Sequence, residues 1–200
     1  MALSDLFATK KYNMALLKKL NKEYEHKEIM TSVTEYSDEY QINQANQRID
    51  ELSKWIDFEG MKILEIGCGG GYVSYQLSQR FSCQVIGIDI YTSEVWDRFS
   101  PLTSGVSFRN VDLSRENPFE EDEFDVILSF VAWEHIRHPF EVLQQATKIL
   151  KPNGLFYILA NLYRSAVASH LYKVIFFPFP HLLFEEDIVT KFALSQGTEQ

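Results

Sequence analysis

The stretch Lys62 to Tyr72, KILEIGCGGGY, sets one carboxylate, Glu65, ahead of three glycines at alternate positions, Gly67, Gly69 and Gly71. An apolar run that ends in glycines and then enters a helical pattern is how an α/β fold brings its backbone against a ligand, because residues without a Cβ permit close approach. A dinucleotide fingerprint would carry its last glycine where Tyr72 stands, so a nicotinamide site is disfavoured. A tight turn in some other α/β domain stays open. Two more carboxylates follow apolar runs: Asp89 closes VIGID, twenty-four residues after Glu65, and Asp112 follows FRNV. At the end of a strand, Asp89 can accept both hydroxyls of a ribose, with Ile90 beside it offering an apolar face; a solvated carboxylate is the plain alternative. Glu134 and His135 stand together in FVAWEHIRHP. Imidazole is the side chain suited to take a proton near neutral pH, although either residue could instead orient a loop. His138 reads as a surface residue at a helix start, and His26 as solvated. The five histidines show no ligand spacing, so no metal is expected.

The elements that must position these groups alternate along the chain. Strands are predicted at 63–66, 84–89, 106–111, 125–130 and 155–159, with helices at 72–80, 93–100 and 139–150 and a loop at 114–123. Such alternation implies parallel strands joined by right-handed crossovers, a doubly wound α/β sheet with helices on both faces. Ahead of it, a helix over 41–55 would bury Ile42, Ala45, Ile49, Leu52 and Trp55, and a helix-prone arm runs from about Leu3 to His26. The expected organisation is an N-terminal helical arm, 1–40, and one ligand-binding domain, 41–200. Pro152, Asn153 and Gly154 are expected to end one helix and turn the chain into the next strand.

Composition narrows the function. Two hundred residues, 46% of them hydrophobic, suffice for one sizeable core. A net charge of -9 argues against a general affinity for nucleic acid, which relies on Lys and Arg. Cys68 and Cys83 form no metal-like or disulfide framework, and no cleavable leader or apolar span is present, so a cytoplasmic protein without a transmembrane segment is expected.

Taken together, Glu65-x-Gly67-x-Gly69-x-Gly71, Asp89, Asp112 in FRNVDLS, and EFDVILSFVAWEHIRHP followed by ILKPNGLFYI resemble the motifs of class I S-adenosylmethionine-dependent methyltransferases that act on small molecules. The resemblance covers roughly Trp55 to Leu159. It implies a Rossmann-like fold and S-adenosylmethionine as cofactor, held by Glu65, Gly67, Cys68, Gly69, Gly71, Asp89, Ile90, Val111, Asp112, Leu113, Ser129 and Phe130. In that scheme Glu65 suits the cofactor's ammonium, Asp89 the ribose, Asp112 the adenine amino group, and the backbone near Ser129 and Phe130 the methionine end. His135, with Glu134 second, would be the catalytic base. The implied function is methyl transfer to a small-molecule or lipid-linked acceptor, at oxygen; a non-catalytic cofactor-binding subunit and, with less support, an NAD-dependent oxidoreductase are the alternatives.

The family fold ends in an antiparallel strand pair, and the sixteen residues from Glu185 onward provide for one short helix and a polar tail. Two readings stay open: the chain is a shortened piece of a longer protein, or its sheet stops at five strands with the Phe-rich segment shielding the edge; an uncovered edge strand LFYIL would be open to oligomer formation. In the segment 160–184, Phe176, Phe177 and Phe179 would cover that edge, or the aromatics with His170 and His181 would form a lid over the acceptor, or the segment would touch a lipid-linked acceptor peripherally at a membrane surface.

Overall fold

The computed structural model describes residues 13–27, 37–166 and 168–197. The chain divides into two compact units: Glu35–Ala160, and Met1–Thr34 together with Asn161–Gln200.

In the first unit five strands pair in parallel: β1 (Lys62–Ile66), β2 (Gln84–Asp89), β3 (Val106–Asn110), β4 (Phe124–Phe130) and β5 (Leu150–Leu159), in the order β3-β2-β1-β4-β5. The apolar runs are short and continuous because the central strands are covered on both faces. On one face, Ile63, Val85, Val126 and Leu128 pack with Ala45, Ile49 and Leu52 of α2 (Asp38–Leu52) and Val73 and Leu77 of α3 (Tyr72–Arg80). On the other, Leu64, Ile86, Ile88 and Ile127 meet Val142, Ala146 and Ile149 of α5 (Pro139–Ile149). Between β2 and β3 runs α4 (Glu94–Phe99), capped by the Ser93 hydroxyl.

Two local expectations change. The helix expected over 41–55 starts earlier, because the Ser37 side chain accepts the Tyr40 N–H and Asp38 and Glu39 occupy the positive first turn; it ends at Leu52 and leaves Trp55 83% exposed rather than buried. The Pro152–Gly154 stretch belongs to β5 rather than preceding it. Phe124 pairs with Leu150 and Val126 with Leu155, so the extra residues are absorbed as an irregularity, with Asn153 at φ 65°. An edge strand tolerates this, since Pro152 has no N–H to give to the ladder. Among the described residues β5 pairs only with β4, and Leu155, Ile158 and Leu159 are exposed.

The second unit has its own core. Leu17 of α1 (Met14–Tyr24) packs with Ile175, Phe177 and Phe184 and with Val189 and Phe192 of the last helix (Glu186–Ser195). The part of the expected arm at residues 3–12 lies outside the described residues. Within the 160–184 segment, Phe177 and Phe184 turn into this core, while Phe179 sits at φ 60° and is 38% exposed. Asn21 locks the unit: its Nδ2 donates to the Val174 carbonyl at 2.9 Å, and its Oδ1 accepts the Phe176 N–H at 2.7 Å. Asn21→Leu leaves both backbone groups without a partner in a largely dry site. It is expected to lower stability by about 2 kcal/mol, measured by urea denaturation. Among the described residues no helix is long and apolar enough to cross a membrane.

Candidate functional site

Strand order reverses between β1 and β4, which is where open α/β sheets hold ligands, beyond the carboxyl ends of the strands. A cavity of about 620 Å³ lies there. Its walls come from the ends of four strands: Ile66, Gly67 and Gly69 after β1, Asp89 to Tyr91 after β2, Val111 to Arg115 after β3, and Val131, Ala132 and His135 to His138 after β4. The volume falls within the range of about 300–1,000 Å³ usual for small-molecule sites.

Eight of the residues singled out from sequence line this one cavity: Gly67, Gly69, Asp89, Ile90, Val111, Asp112, Leu113 and His135. The other six, Glu65, Cys68, Gly71, Ser129, Phe130 and Glu134, do not. Gly71 serves as the left-handed N-cap of α3. Cys68 is buried, and burial pushes its thiol far above the usual range, so it stays neutral. Phe130 packs in the core against Tyr157, and Ser129 is fully buried on β4.

Glu65 differs most from the expectation. It is 3% exposed, and its Oε2 accepts both the N–H of Ser74, at 3.0 Å, and the Ser74 hydroxyl, at 2.5 Å. The carboxyl therefore caps the first turn of α3 from beneath the glycine turn, rather than facing the cavity. Burial raises its pKa to about 7, against the lowering pull of the two Ser74 hydrogen bonds. An unfolded glutamate titrates near 4.3, so the folded state holds this proton more tightly. The sign follows for this group: its contribution to stability is greatest below about pH 4.3, declines as pH rises to about 7, and is flat above, for a total on the order of 3–4 kcal/mol. Glu65→Gln keeps an acceptor for Ser74 but does not titrate. Relative to the parent, this variant is expected to gain about 3 kcal/mol between pH 4.5 and 8 in denaturant unfolding.

The glycine turn is closed by its own hydrogen bonds. The N–H groups of Gly67 and Cys68 donate to the Ile88 carbonyl at 2.8 and 3.0 Å, that of Gly71 to the Cys68 carbonyl at 2.8 Å, and that of Gly69 to Asp89 Oδ2 at 2.9 Å. A pyrophosphate site needs such groups to face the ligand. Here those of Gly67, Cys68, Gly69 and Gly71 are given to protein acceptors, and the Glu65 carboxyl already sits at the positive end of α3.

The carboxylates beyond β2 and β3 are held by neighbours. Asp89 Oδ1 accepts the Tyr91 N–H at 3.1 Å, and Asn110 Nδ2 donates to the Asp89 carbonyl at 3.0 Å. Asp112 Oδ1 accepts the N–H and hydroxyl of Ser114 at 3.0 and 2.6 Å, and its Oδ2 lies 3.1 Å from Arg115. The Ser114 hydroxyl is the main reason that its carboxyl lies below the usual carboxylate range.

Several lining residues carried no sequence signal. Ala132 approaches so closely that a Cβ on Gly67 would stand 2.3 Å from its own; two small residues meet across β1 and β4, a pairing no linear pattern reveals. Val131 sits at φ 54°, a strained conformation for a β-branched residue, and its N–H donates to the Leu159 carbonyl. His138 is the exposed N-cap residue just before α5, as expected, but it also borders the cavity.

A family model described as a methyltransferase domain matches residues 37–182. The chain belongs to the methyltransferase domain family. Among curated relatives of this methyltransferase domain, the ubiquinone biosynthesis O-methyltransferase of Pseudomonas fluorescens SBW25 is 31% identical over 110 residues, 54% of this chain and 47% of that protein. Its counterpart from Pseudomonas aeruginosa LESB58 is 34% identical over 111 residues, 52% of this chain and 47% of that protein. The chain thus spans about half the length of the relatives it matches. A solved S-adenosylmethionine-dependent methyltransferase from Aquifex aeolicus superposes with a TM-score of 0.53 at 16% identity, over 94% of this chain and 90% of that one, a likeness of fold.

Proposed function

We propose that this methyltransferase domain binds S-adenosylmethionine in the cavity beyond β1, β2 and β3 and directs methyl transfer to the oxygen of a small-molecule acceptor. The observation that carries this reading is the closed glycine turn beside two cavity-lining carboxylates. With four of the turn's N–H groups given to protein acceptors and Asp89 and Asp112 on the walls, the part of the cavity beside the glycine turn suits a ligand offering hydroxyl, amino and ammonium donors better than a pyrophosphate. The residues present fit such a cofactor. Asp89 and Asp112 supply acceptors, Ile90, Val111 and Leu113 supply apolar surface for a flat ring, and Gly67 and Gly69 leave backbone where a side chain would intrude. The names of the relatives, O-methyltransferases of ubiquinone biosynthesis, support oxygen as the acceptor atom.

When bound, the cofactor supplies an electrophilic methyl group on a sulfonium, open to in-line attack. This chain's residues hold both partners in line, a contribution of about 7–11 kcal/mol in well-oriented systems, and exclude water through the apolar wall of Ile66, Ile88 and Val142. His135, on the wall formed after β4, receives the acceptor's hydroxyl proton at a ring nitrogen. Both cysteines are buried and free, which supports a reducing, cytoplasmic setting.

Calorimetric titration of the 200-residue chain with S-adenosylmethionine, S-adenosylhomocysteine and NAD tests the reading. Binding of the first two without NAD is expected. Binding of NAD alone, or of none by a folded and monodisperse chain, overturns it.

A further inference from the structure

We infer that Trp96 is a positioning residue for the cofactor site, its indole N–H setting the peptide at Gly69 and, through it, the Asp89 carboxylate. The inference rests on the cofactor reading above and extends it to a side chain on α4 that does not line the cavity.

Gly69 is the least supported point of the glycine turn. It lies at φ 52°, and a Cβ built on it would have no atom within 4 Å, so packing does not restrain it as Ala132 restrains Gly67. A glycine in such open space is free to rotate its flanking peptides. Two side-chain hydrogen bonds oppose that freedom. The Gly69 N–H donates to Asp89 Oδ2 at 2.9 Å, and the Gly69 carbonyl accepts from Trp96 Nε1 at 2.9 Å.

The indole is itself held firmly. Trp96 is 8% exposed and stacks on Phe108 of β3, with ring centroids 5.4 Å apart and planes 11° from parallel. Phe108 has little room to move, since its ring lies where Cβ atoms on Gly71 and Gly87 would be, at 2.3 and 2.8 Å. A buried indole N–H requires an acceptor, and here the acceptor is the turn's own backbone. The chain of contact therefore runs from β3 through Phe108 and Trp96 to Gly69 and on to Asp89, which faces the cavity. The accepting carbonyl belongs to the Gly69–Gly70 peptide and the N–H to the Cys68–Gly69 peptide, so the two bonds together hold φ and ψ of Gly69; if the indole bond is lost, that glycine can turn, its N–H loses its aim at Asp89, and the carboxylate keeps only the Tyr91 N–H.

Trp96→Phe keeps an aromatic ring against Phe108 and removes only the N–H. In calorimetry with S-adenosylhomocysteine, the dissociation constant is expected to rise about 3- to 10-fold, the scale of one hydrogen bond. A purely structural role for Trp96 would act independently of Asp89, whereas the proposed role does not. In an Asp89→Asn background, the same Trp96→Phe change is expected to alter affinity less than about 2-fold. Full additivity of the two substitutions overturns the inference, as does unchanged affinity in Trp96→Phe. Failure of the parent to bind S-adenosylhomocysteine counts instead against the cofactor reading. Should Trp96→Phe fold poorly, hydrogen exchange of the indole N–H in the unaltered chain decides: it is expected to be slow and to slow further with ligand, whereas exchange as fast as that of the exposed Trp55 in both states rejects the proposal.

Discussion

Asp89→Ala is expected to weaken S-adenosylhomocysteine binding by about 100-fold or more while leaving the chain folded. Each carboxylate oxygen of Asp89 already carries one backbone N–H, from Gly69 on Oδ2 and from Tyr91 on Oδ1. An ionised carboxylate has room for about four hydrogen bonds, so each oxygen keeps capacity for one more, matching the two hydroxyls of a ribose. Hydrogen bonds to charged groups contribute about 1.5–3 kcal/mol each, and two of them correspond to at least a 100-fold change in affinity. Alanine also releases the Gly69 N–H, which loosens the turn. Calorimetry gives the affinity, and circular dichroism confirms that the fold persists. Binding within tenfold of the parent would show that Asp89 does not hold the ribose.

His135→Gln is expected to reduce kcat by about 100-fold or more near neutral pH, with S-adenosylhomocysteine affinity within about threefold of the parent. The imidazole is carried by a single 3-10 turn, Trp133–His135, in which the His135 N–H donates to the Ala132 carbonyl at 2.9 Å. Because Ala132 packs against Gly67, the turn that carries the histidine is set directly on the turn proposed to hold the cofactor. General bases typically contribute about 10²- to 10⁴-fold. With a dihydroxybenzene as acceptor probe, the deficit is expected to shrink as pH rises, since the acceptor then sheds its own proton. Turnover equal to the parent's, or a deficit that appears only as lost cofactor affinity, would remove His135 as the base.

The order of elements was readable because buried parallel strands demand continuous apolar runs and their helices demand a 3.6-residue period. VIGI and DVIL leave little choice, and their alternation with helical patterns implies the parallel sheet observed. Where the local signal was weaker, boundaries moved. Trp55 extended the helical pattern by type but lies past the last hydrogen-bonded turn, and Pro152–Gly154 looked like a connection although it forms the irregular start of an edge strand. In the site, Gly67, Gly69, Asp89 and Asp112 could be named because each follows an apolar run, and the ends of parallel strands converge.

By itself, then, the sequence determined the α/β class, the succession of strands and helices, and a set of carboxylates and glycines that the fold gathers at one end of the sheet. Tertiary structure decided how those groups are used. A carboxylate at a strand end can turn toward the ligand or toward the neighbouring helix, and Glu65 turns to Ser74 while Asp89 remains on the cavity wall. The meeting of Gly67 with Ala132, and of Gly69 with Trp96, joins residues far apart in the chain. Side-chain type is local, but the direction of a side chain and its partner are set by packing between elements, and no spacing along the chain encodes that.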